Sequence, residues 1–464
     1  MTFFNKDKQS TTTDSTLREL FRLAVPVIAV SFMTMAYNFI NMIFVGRLGS
    51  EAVAAVGSAS FYMSLSWGIS ALLTVGAGIK VSHSIGEKNL LMAKSYVRSG
   101  IVAVIVVALI YYAIIASSAQ YLIGFIKLNN SSIEHNAVNY LRWVGLGIPF
   151  NFQNLFFTSV FIGYGDSKSP FRINAVAFAL NIILDPLLIF GAGMGIQGAA
   201  IATIISQATA TVMFYLKLRR TESIQPTGVA YQKVLLNNII KLGISPTMQR
   251  ISFTIVAIFM ARIISNWGPT AIAVQKVGVQ IEAISYMTIG GFMSALSSIS
   301  GKAYGAKDYN KQWNTFRSGM LIAFTVGMVT SALFVAFPRT FFSIFLTERE
   351  SIAMGSEYLT ILGFSQLFMC LELMTTGAFF GWGRTNIPAI TGISLTVLRI
   401  PMAVAFIHLW RDSLSSVWWS ISISSIAKGT ILVLLYIILF KIFIRKSTNL
   451  QYESGLFYTE KAKA

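Results

Sequence analysis

Long apolar runs, bounded by glycine, proline or charged clusters, follow one another along nearly the whole chain. A helix needs roughly 20 predominantly apolar residues to cross the hydrocarbon core of a bilayer. Only 12% of the 464 residues are charged, about half of the roughly 25% that soluble proteins carry. This composition excludes a soluble multidomain enzyme and predicts an all-α integral membrane protein.

The hydropathy pattern predicts twelve membrane-spanning helices. The apolar stretch that follows the polar first sixteen residues is too long for a cleaved signal peptide, so it counts as a retained first helix. The predicted helices lie near residues 20–46, 52–79, 97–126, 136–163, 170–191, 195–217, 237–265, 271–300, 314–345, 355–381, 387–410 and 415–444.

The net charge of +18 comes from 36 Lys and Arg against 18 Asp and Glu. With the N-terminus placed inside, most of these basic residues fall in cytoplasmic segments, as the positive-inside rule expects. We therefore expect a multi-pass protein of a bacterial or archaeal plasma (inner) membrane, with both termini cytoplasmic. The basic charge reflects topology, and nucleic acid is not an expected partner.

The chain also matches itself at an offset of 218 to 219 residues. The matching segments are 49–54 with 268–273, 86–89 with 305–308, 98–100 with 317–319, 140–141 with 358–359, and Pro170 with Pro388. The repeat predicts two six-helix lobes, 1–217 and 237–464, joined by a polar cytoplasmic linker at 218–236. Because six is even, the lobes are related by a pseudo-twofold axis along the membrane normal, an arrangement typical of alternating-access transporters.

At four places the sequence resembles the multidrug and toxic compound extrusion (MATE) family. The stretches are LAVPVIAVSFMTMAYNFINMIFVGRLGSEAVAAVG from Leu23, NIILDPLLIFGAGMGIQGAAIATIISQ from Asn181, GKAYGAKDYNK from Gly301 and GAFFGWGRTNIP from Gly377. The resemblance covers roughly residues 17–445. It implies a multidrug efflux antiporter that exports amphipathic, mostly cationic compounds in exchange for H+ or Na+. We expect a monomer in lipid, with no cofactor beyond the coupling ion.

Ionisable side chains at bilayer depth are costly and therefore candidates for function. Asn181 and Asp185 stand four residues apart and share one helix face, and Pro186 leaves a backbone carbonyl without its helical donor. Carboxylate, amide and hydroxyl oxygens suit a hard cation such as Na+, and a neutral Asp185 would hold a proton. The alternative is an Asp that only caps or bends the helix. The resemblance carries the family's helix-five Asn and Asp onto Asn181 and Asp185, and its helix-six hydroxyl onto Thr203.

Many relatives have an Asp in the first helix where this chain has Asn41. Asn cannot titrate, although its carbonyl oxygen can coordinate an ion or accept a hydrogen bond. The charge that couples transport to an ion in the N-terminal lobe then rests on Asp185.

Two acids lie in spans of the C-terminal lobe, Glu282 and Glu372. Each either binds a cationic substrate or a proton, or serves a structural ion pair. For Glu282 the basic partners to consider are Lys276, Arg250 and Arg399. The candidates for the substrate cavity are Glu282, Glu372, Tyr37, Met33 and Met287, the methionines because flexible thioethers suit promiscuous binding.

Two further classes were weighed against the antiporter. A lipid-linked oligosaccharide flippase of related architecture would present several basic residues to a pyrophosphate, and the Asn-Asp pair argues against it. A membrane enzyme would need a catalytic constellation, and the sequence contains neither HExxH nor the GxxxxGK[ST] of an ATP site. We therefore expect a transporter that is not an enzyme.

Overall fold

The computed structural model describes residues 6–126, 130–409 and 413–461, with side chains described at 15–126, 130–409 and 413–445. Every regular element within these ranges is a helix. The helices of the N-terminal half are α1 (Lys6–Gly46), α2 (Ser50–Gly86), α3 (Leu90–Ile126), α4 (Ser131–Gly145), α5 (Ile148–Tyr164), α6 (Lys168–Pro186) with a π-helical turn at Leu187–Gly191, and α7 (Gly195–Arg219).

The C-terminal half repeats this order. Its helices are α8 (Lys233–Ile264) with a 3-10 turn at Ser265–Trp267, α9 (Pro269–Gly305), α10 (Tyr309–Ala336), α11 (Pro338–Ser343), α12 (Arg349–Gly381), α13 (Asn386–Val397), α14 (Arg399–Leu409) and α15 (Leu414–Lys461). The all-α fold with twelve spans is confirmed, and the helices extend beyond several of the predicted ends. The predicted end of the eleventh span, residue 410, lies outside the described residues.

Three of the predicted spans are each built from two helices, because a proline interrupts the backbone hydrogen bonds. The fourth span breaks between α4 and α5 just before Pro149, and the ninth breaks between α10 and α11 at Pro338. The eleventh breaks between α13 and α14, where Pro401 has no N–H to donate to the carbonyl of Val397. The expectation of continuous helices at 136–163, 314–345 and 387–410 was wrong in this respect.

Ten helical segments of the described chain are long and apolar enough to cross a membrane, by length and composition. The two predicted spans outside this set have physical reasons for it. The α4/α5 span is divided into helices of 15 and 17 residues. The 37-residue α9 carries polar side chains within its apolar run, among them Lys276 and Glu282.

Each half has its own apolar core, yet the first helix of each half begins in the core of the other. Leu20 and Ala24 of α1 are buried among residues of α9, α10, α12 and α15. Leu235 and Ile239 of α8 are buried in the core formed by α2 to α7. Leu20 and Ile239 are separated by 219 residues, so the sequence repeat corresponds to a repeat in packing.

Glycines let the two halves approach closely at one end of the molecule. A Cβ on Gly243 of α8 would overlap the carbonyl oxygen of Leu72 in α2, and one on Gly291 of α9 would overlap Ile28 in α1. These contacts again obey the offset, since Gly291 lies 219 residues after Leu72. Small residues at helix interfaces are typical of packing in lipid.

We call this end of the molecule, marked by the turns at 87–89, 165–167, 306–308 and 382–385, the closed end. Two hydrogen bonds cross between the halves there. His83 donates from Nε2 to the carbonyl of Gly381 at 2.8 Å, and Ser298 donates to the carbonyl of Ile162 at 2.6 Å. At the opposite end, large side chains of α1, α2 and α8 stay exposed, including Phe39, Phe61 and Ile258. The halves are therefore joined at one end and separate at the other.

The glycine contacts predict a sharp sensitivity to added volume. Gly243→Ala places a methyl group against backbone atoms of α2 that cannot yield, and overpacking costs about 1–3 kcal/mol. The apparent Tm of the detergent-solubilised protein should fall. Gly290→Ala is the matched control, because a Cβ at Gly290 meets nothing within 4 Å. Equal melting of the two variants would contradict the close approach.

Candidate cation-binding site

The helix α6 presents one buried stripe to the N-terminal half, and its polar end forms the site. The buried positions Ile173, Ala177, Asn181 and Asp185 recur every four residues, which places them on one face. Pro186 follows directly, and the chain widens into the π-helical turn Leu187–Gly191. Such π turns often occur at functional sites. The stripe therefore delivers the Asn181 and Asp185 side chains into the interior.

A chain of hydrogen bonds links α6 to α1 and α7. Asn41 donates from Nδ2 to the Tyr37 hydroxyl at 3.3 Å, and Asn181 donates from Nδ2 to Thr203 Oγ1 at 3.5 Å. The Thr203 hydroxyl donates to the carbonyl of Ala199 at 2.9 Å. Because a hydroxyl has a single proton, the 3.3 Å contact between Tyr37 and Thr203 must have Tyr37 as its donor. The structure thus brings Tyr37, a predicted cavity residue, together with the four predicted ion-site residues.

This arrangement fixes the orientation of both amides and leaves their oxygens without donors. Within the described chain, Oδ1 of Asn41, Oδ1 of Asn181 and both carboxyl oxygens of Asp185 are buried and accept no hydrogen bond. Asp185 is only 1% exposed and Asn181 2%. Buried polar atoms are normally satisfied, and an unpaired buried carboxylate is especially costly. Four such oxygens within one cluster fit a bound cation, or a proton on Asp185.

A small cavity of about 60 Å³ adjoins the cluster and shares Tyr37, Asn181 and Thr203 with it. Its remaining lining is rich in amides and hydroxyls that the sequence reasoning did not select, namely Asn154, Asn174, Phe178, Ser206 and Gln207, with Ala177 and Ala210. Phe178 stacks on Tyr37 with ring centroids 5.3 Å apart. Tyr140, also unselected, is buried and close enough to Asp185 to interact electrostatically. The available signal was the presence of amide side chains inside apolar runs.

The two acids of the C-terminal half do not join this cluster. Glu282 accepts hydrogen bonds from the Tyr358 hydroxyl at 2.5 Å and from Gln366 at 3.3 Å. Of the three basic partners considered for it, Arg399 interacts with it electrostatically. Glu372 forms a buried ion pair with Lys428 at 3.2 Å.

The two methionines expected in a substrate cavity, Met33 in α1 and Met287 in α9, are both half-buried. Their helices pack against each other in the fold. A role for them in substrate binding stays a prediction.

With this geometry described, the chain was compared with known proteins. The MatE family model matches residues 26–187 and 247–405. This chain belongs to the MatE family. The two matched segments lie in the two halves of the chain, as the internal repeat requires.

Two curated relatives of this MatE protein align over nearly their whole length. The probable multidrug resistance protein NorM of Thermotoga maritima is 24% identical over 431 residues, which cover 90% of this chain and 92% of NorM. The multidrug export protein MepA of Staphylococcus aureus is 22% identical over 418 residues, covering 88% and 90% of the respective chains. The protein is thus a multi-pass membrane transporter of a multidrug efflux family that has bacterial members.

Among solved structures, the crystal structure of MATE in the bent conformation superimposes with a TM-score of 0.89. It is 21% identical, and the alignment covers 96% of this chain and 100% of that one. At this identity the likeness establishes the fold, with twelve helices in two bundles.

The hydrogen-bond chain predicts that Thr203 orients the cation ligands. Thr203→Val removes the acceptor for Tyr37 and Asn181, and one or two neutral hydrogen bonds contribute about 0.5–1.5 kcal/mol each. The cation concentration for half-maximal efflux should rise about threefold to tenfold. Thr209→Val is the control, because Thr209 lies on the same helix and makes the same kind of bond, to the carbonyl of Ile205. A Thr203 variant that behaves like the Thr209 variant would contradict the assignment.

Proposed function

We propose that this MatE protein is a secondary active antiporter that exports amphipathic, mostly cationic compounds in exchange for H+ or Na+. The observation that carries the proposal is the set of unpartnered oxygens of Asn41, Asn181 and Asp185. The cluster has one carboxylate, so a single monovalent cation or proton neutralises it. A transported ion supplies that charge and can leave again, which a structural ion pair cannot.

The distribution of basic residues supports the orientation of the protein. Lys and Arg concentrate at the closed end, for example Lys88, Lys168, Lys302, Lys307 and Arg384. The positive-inside rule places that end in the cytoplasm of a bacterial or archaeal cell, together with both termini. The halves then meet on the cytoplasmic side and separate on the outside.

In this orientation the described conformation is open to the outside, and the site in α6 lies in the half of the molecule towards that opening. Coupling needs a ligand that binds one conformation better than the other. Binding of an external cation at Asp185 would stabilise a state different from the one that holds the exported compound. The ion and the substrate then oppose each other through the conformational equilibrium.

The flippase alternative keeps a role in the test because the C-terminal half contains buried basic groups, Arg399 and Lys428. A pyrophosphate needs positive charge that is not already neutralised. Here Lys428 is paired with Glu372, and Arg399 interacts with both Glu372 and Glu282. These contacts favour the antiporter.

The central prediction concerns the one charge of the site. Asp185→Asn keeps the size of the side chain but removes the charge, so cation-driven efflux should be lost in cells that lack their own pumps. Asp166→Asn is the matched control, because Asp166 caps the start of α6 outside the cluster and Asn is an equally good cap. Wild-type resistance in the Asp185 variant would overturn the proposal.

The coupling ion is tested in proteoliposomes that carry either a pH gradient or a Na+ gradient alone. Efflux of a cationic dye should follow one of the two gradients and vanish in Asp185→Asn. The same vesicles are assayed for translocation of a labelled lipid-linked oligosaccharide. Translocation of that lipid without gradient-driven dye efflux would favour the flippase.

A further inference from the structure

The cavity of the N-terminal half has a counterpart in the C-terminal half, residue by residue. Five of its lining positions correspond to C-terminal positions at one constant offset of 218, which also relates Tyr140 to Tyr358. The pairs are Asn154 with Glu372, Asn181 with Arg399, Ser206 with Ser424, Gln207 with Ser425, and Ala210 with Lys428.

These five C-terminal residues contact one another in the structure. Arg399 donates from Nε to Ser424 at 2.7 Å and from Nη2 to Ser425 at 2.9 Å. The Lys428 ammonium lies 3.2 Å from both carboxyl oxygens of Glu372. The side chains of Arg399, Glu372 and Lys428 are each at most 8% exposed. The amide-lined cavity of one half is thus matched by a buried ionic network in the other.

The two sites differ in charge balance. Among the described residues of the N-terminal cluster and cavity, Asp185 is the charged side chain, so the cluster carries one unbalanced negative charge. In the C-terminal network, Glu282 and Glu372 are balanced by Arg399 and Lys428. We propose that Lys428 is a built-in cation, whose ammonium neutralises Glu372 at the place where the N-terminal half receives a mobile ion.

Physical chemistry gives this arrangement a consequence for coupling. A covalently attached ammonium cannot dissociate, so the network stays neutral through the transport cycle. Removing one partner of a buried ion pair leaves a costly uncompensated charge, whereas removing both is often tolerated. Wild-type protein then takes up a cation at Asp185 alone, and the C-terminal half holds a latent cation site that Lys428 keeps filled. This inference rests on the proposed cation coupling at Asp185.

The test exposes the latent site in protein that lacks the first one. Purified protein is prepared as wild type, Asp185→Asn, Asp185→Asn with Lys428→Met, and the latter with Glu372→Gln added. Bound 22Na+ is measured by equilibrium dialysis, and a bound proton by the infrared C=O band of a protonated carboxyl. Asp185→Asn with Lys276→Met is the matched control, since Lys276 is an exposed lysine of the same half.

The expected pattern is uptake by wild type, loss in Asp185→Asn, and recovery when Lys428→Met is added. Recovery appears as bound Na+ or as the protonated carboxyl band. It should disappear again with Glu372→Gln and should not occur with Lys276→Met. If Lys428→Met restores neither signal in folded protein, the proposal is overturned.

A second variant covers the case in which the unpaired carboxylate prevents folding. Glu372→Gln with Lys428→Met removes both charges and leaves Asp185 intact, so cation uptake should equal that of wild type. Loss of that uptake would overturn the built-in cation. Failure of the proposed function has a different signature, because wild type would then take up no cation while the comparison between Asp185 variants still reports on Lys428.

Discussion

The structure depends on the cost of placing a charge where water cannot reach it. Asp185 is buried on a helix face between α1 and α7, with neither carboxyl oxygen accepting a hydrogen bond from the described residues. The neighbouring amides do not relieve this, because Tyr37 and Thr203 engage their N–H groups and leave their oxygens directed to the same unfilled need. An exchangeable ion or proton resolves it, and a charge that must be supplied in each cycle is what couples a transporter to a gradient.

The internal repeat shows how one architecture holds two solutions to the same electrostatic problem. Both halves pack with the same crossed helix starts, as Leu20 and Ile239 illustrate. At equivalent positions, however, one half has Asn181 and Ala210 while the other has Arg399 and Lys428. Sequence divergence after duplication has left one site to a mobile cation and filled the other with attached ones. The two lobes are similar in fold and unequal in chemistry.

Much of the fold was predictable from the sequence, because spanning a bilayer requires long apolar helices that hydropathy reveals directly. The spans interrupted at Pro149, Pro338 and Pro401 were less so, since a proline that breaks a helix and one that is accommodated, such as Pro26 in α1, look the same in the sequence. The candidate ion ligands were found because acids and amides stand out in apolar runs. Tyr140 and Gln207 were not, because their relevance depends on which helix faces which.

The sequence by itself determined the class of the protein, its twelve spans, its twofold repeat and the single acid of the N-terminal half. These follow from composition and periodicity, which act locally along the chain. Only the tertiary structure decided that Asn41, Tyr37 and Thr203 meet at α6, that Glu372 pairs with Lys428, and that the halves close at one end. These depend on contacts between residues more than fifty positions apart, whose geometry is set by helix packing and is not encoded in any single segment.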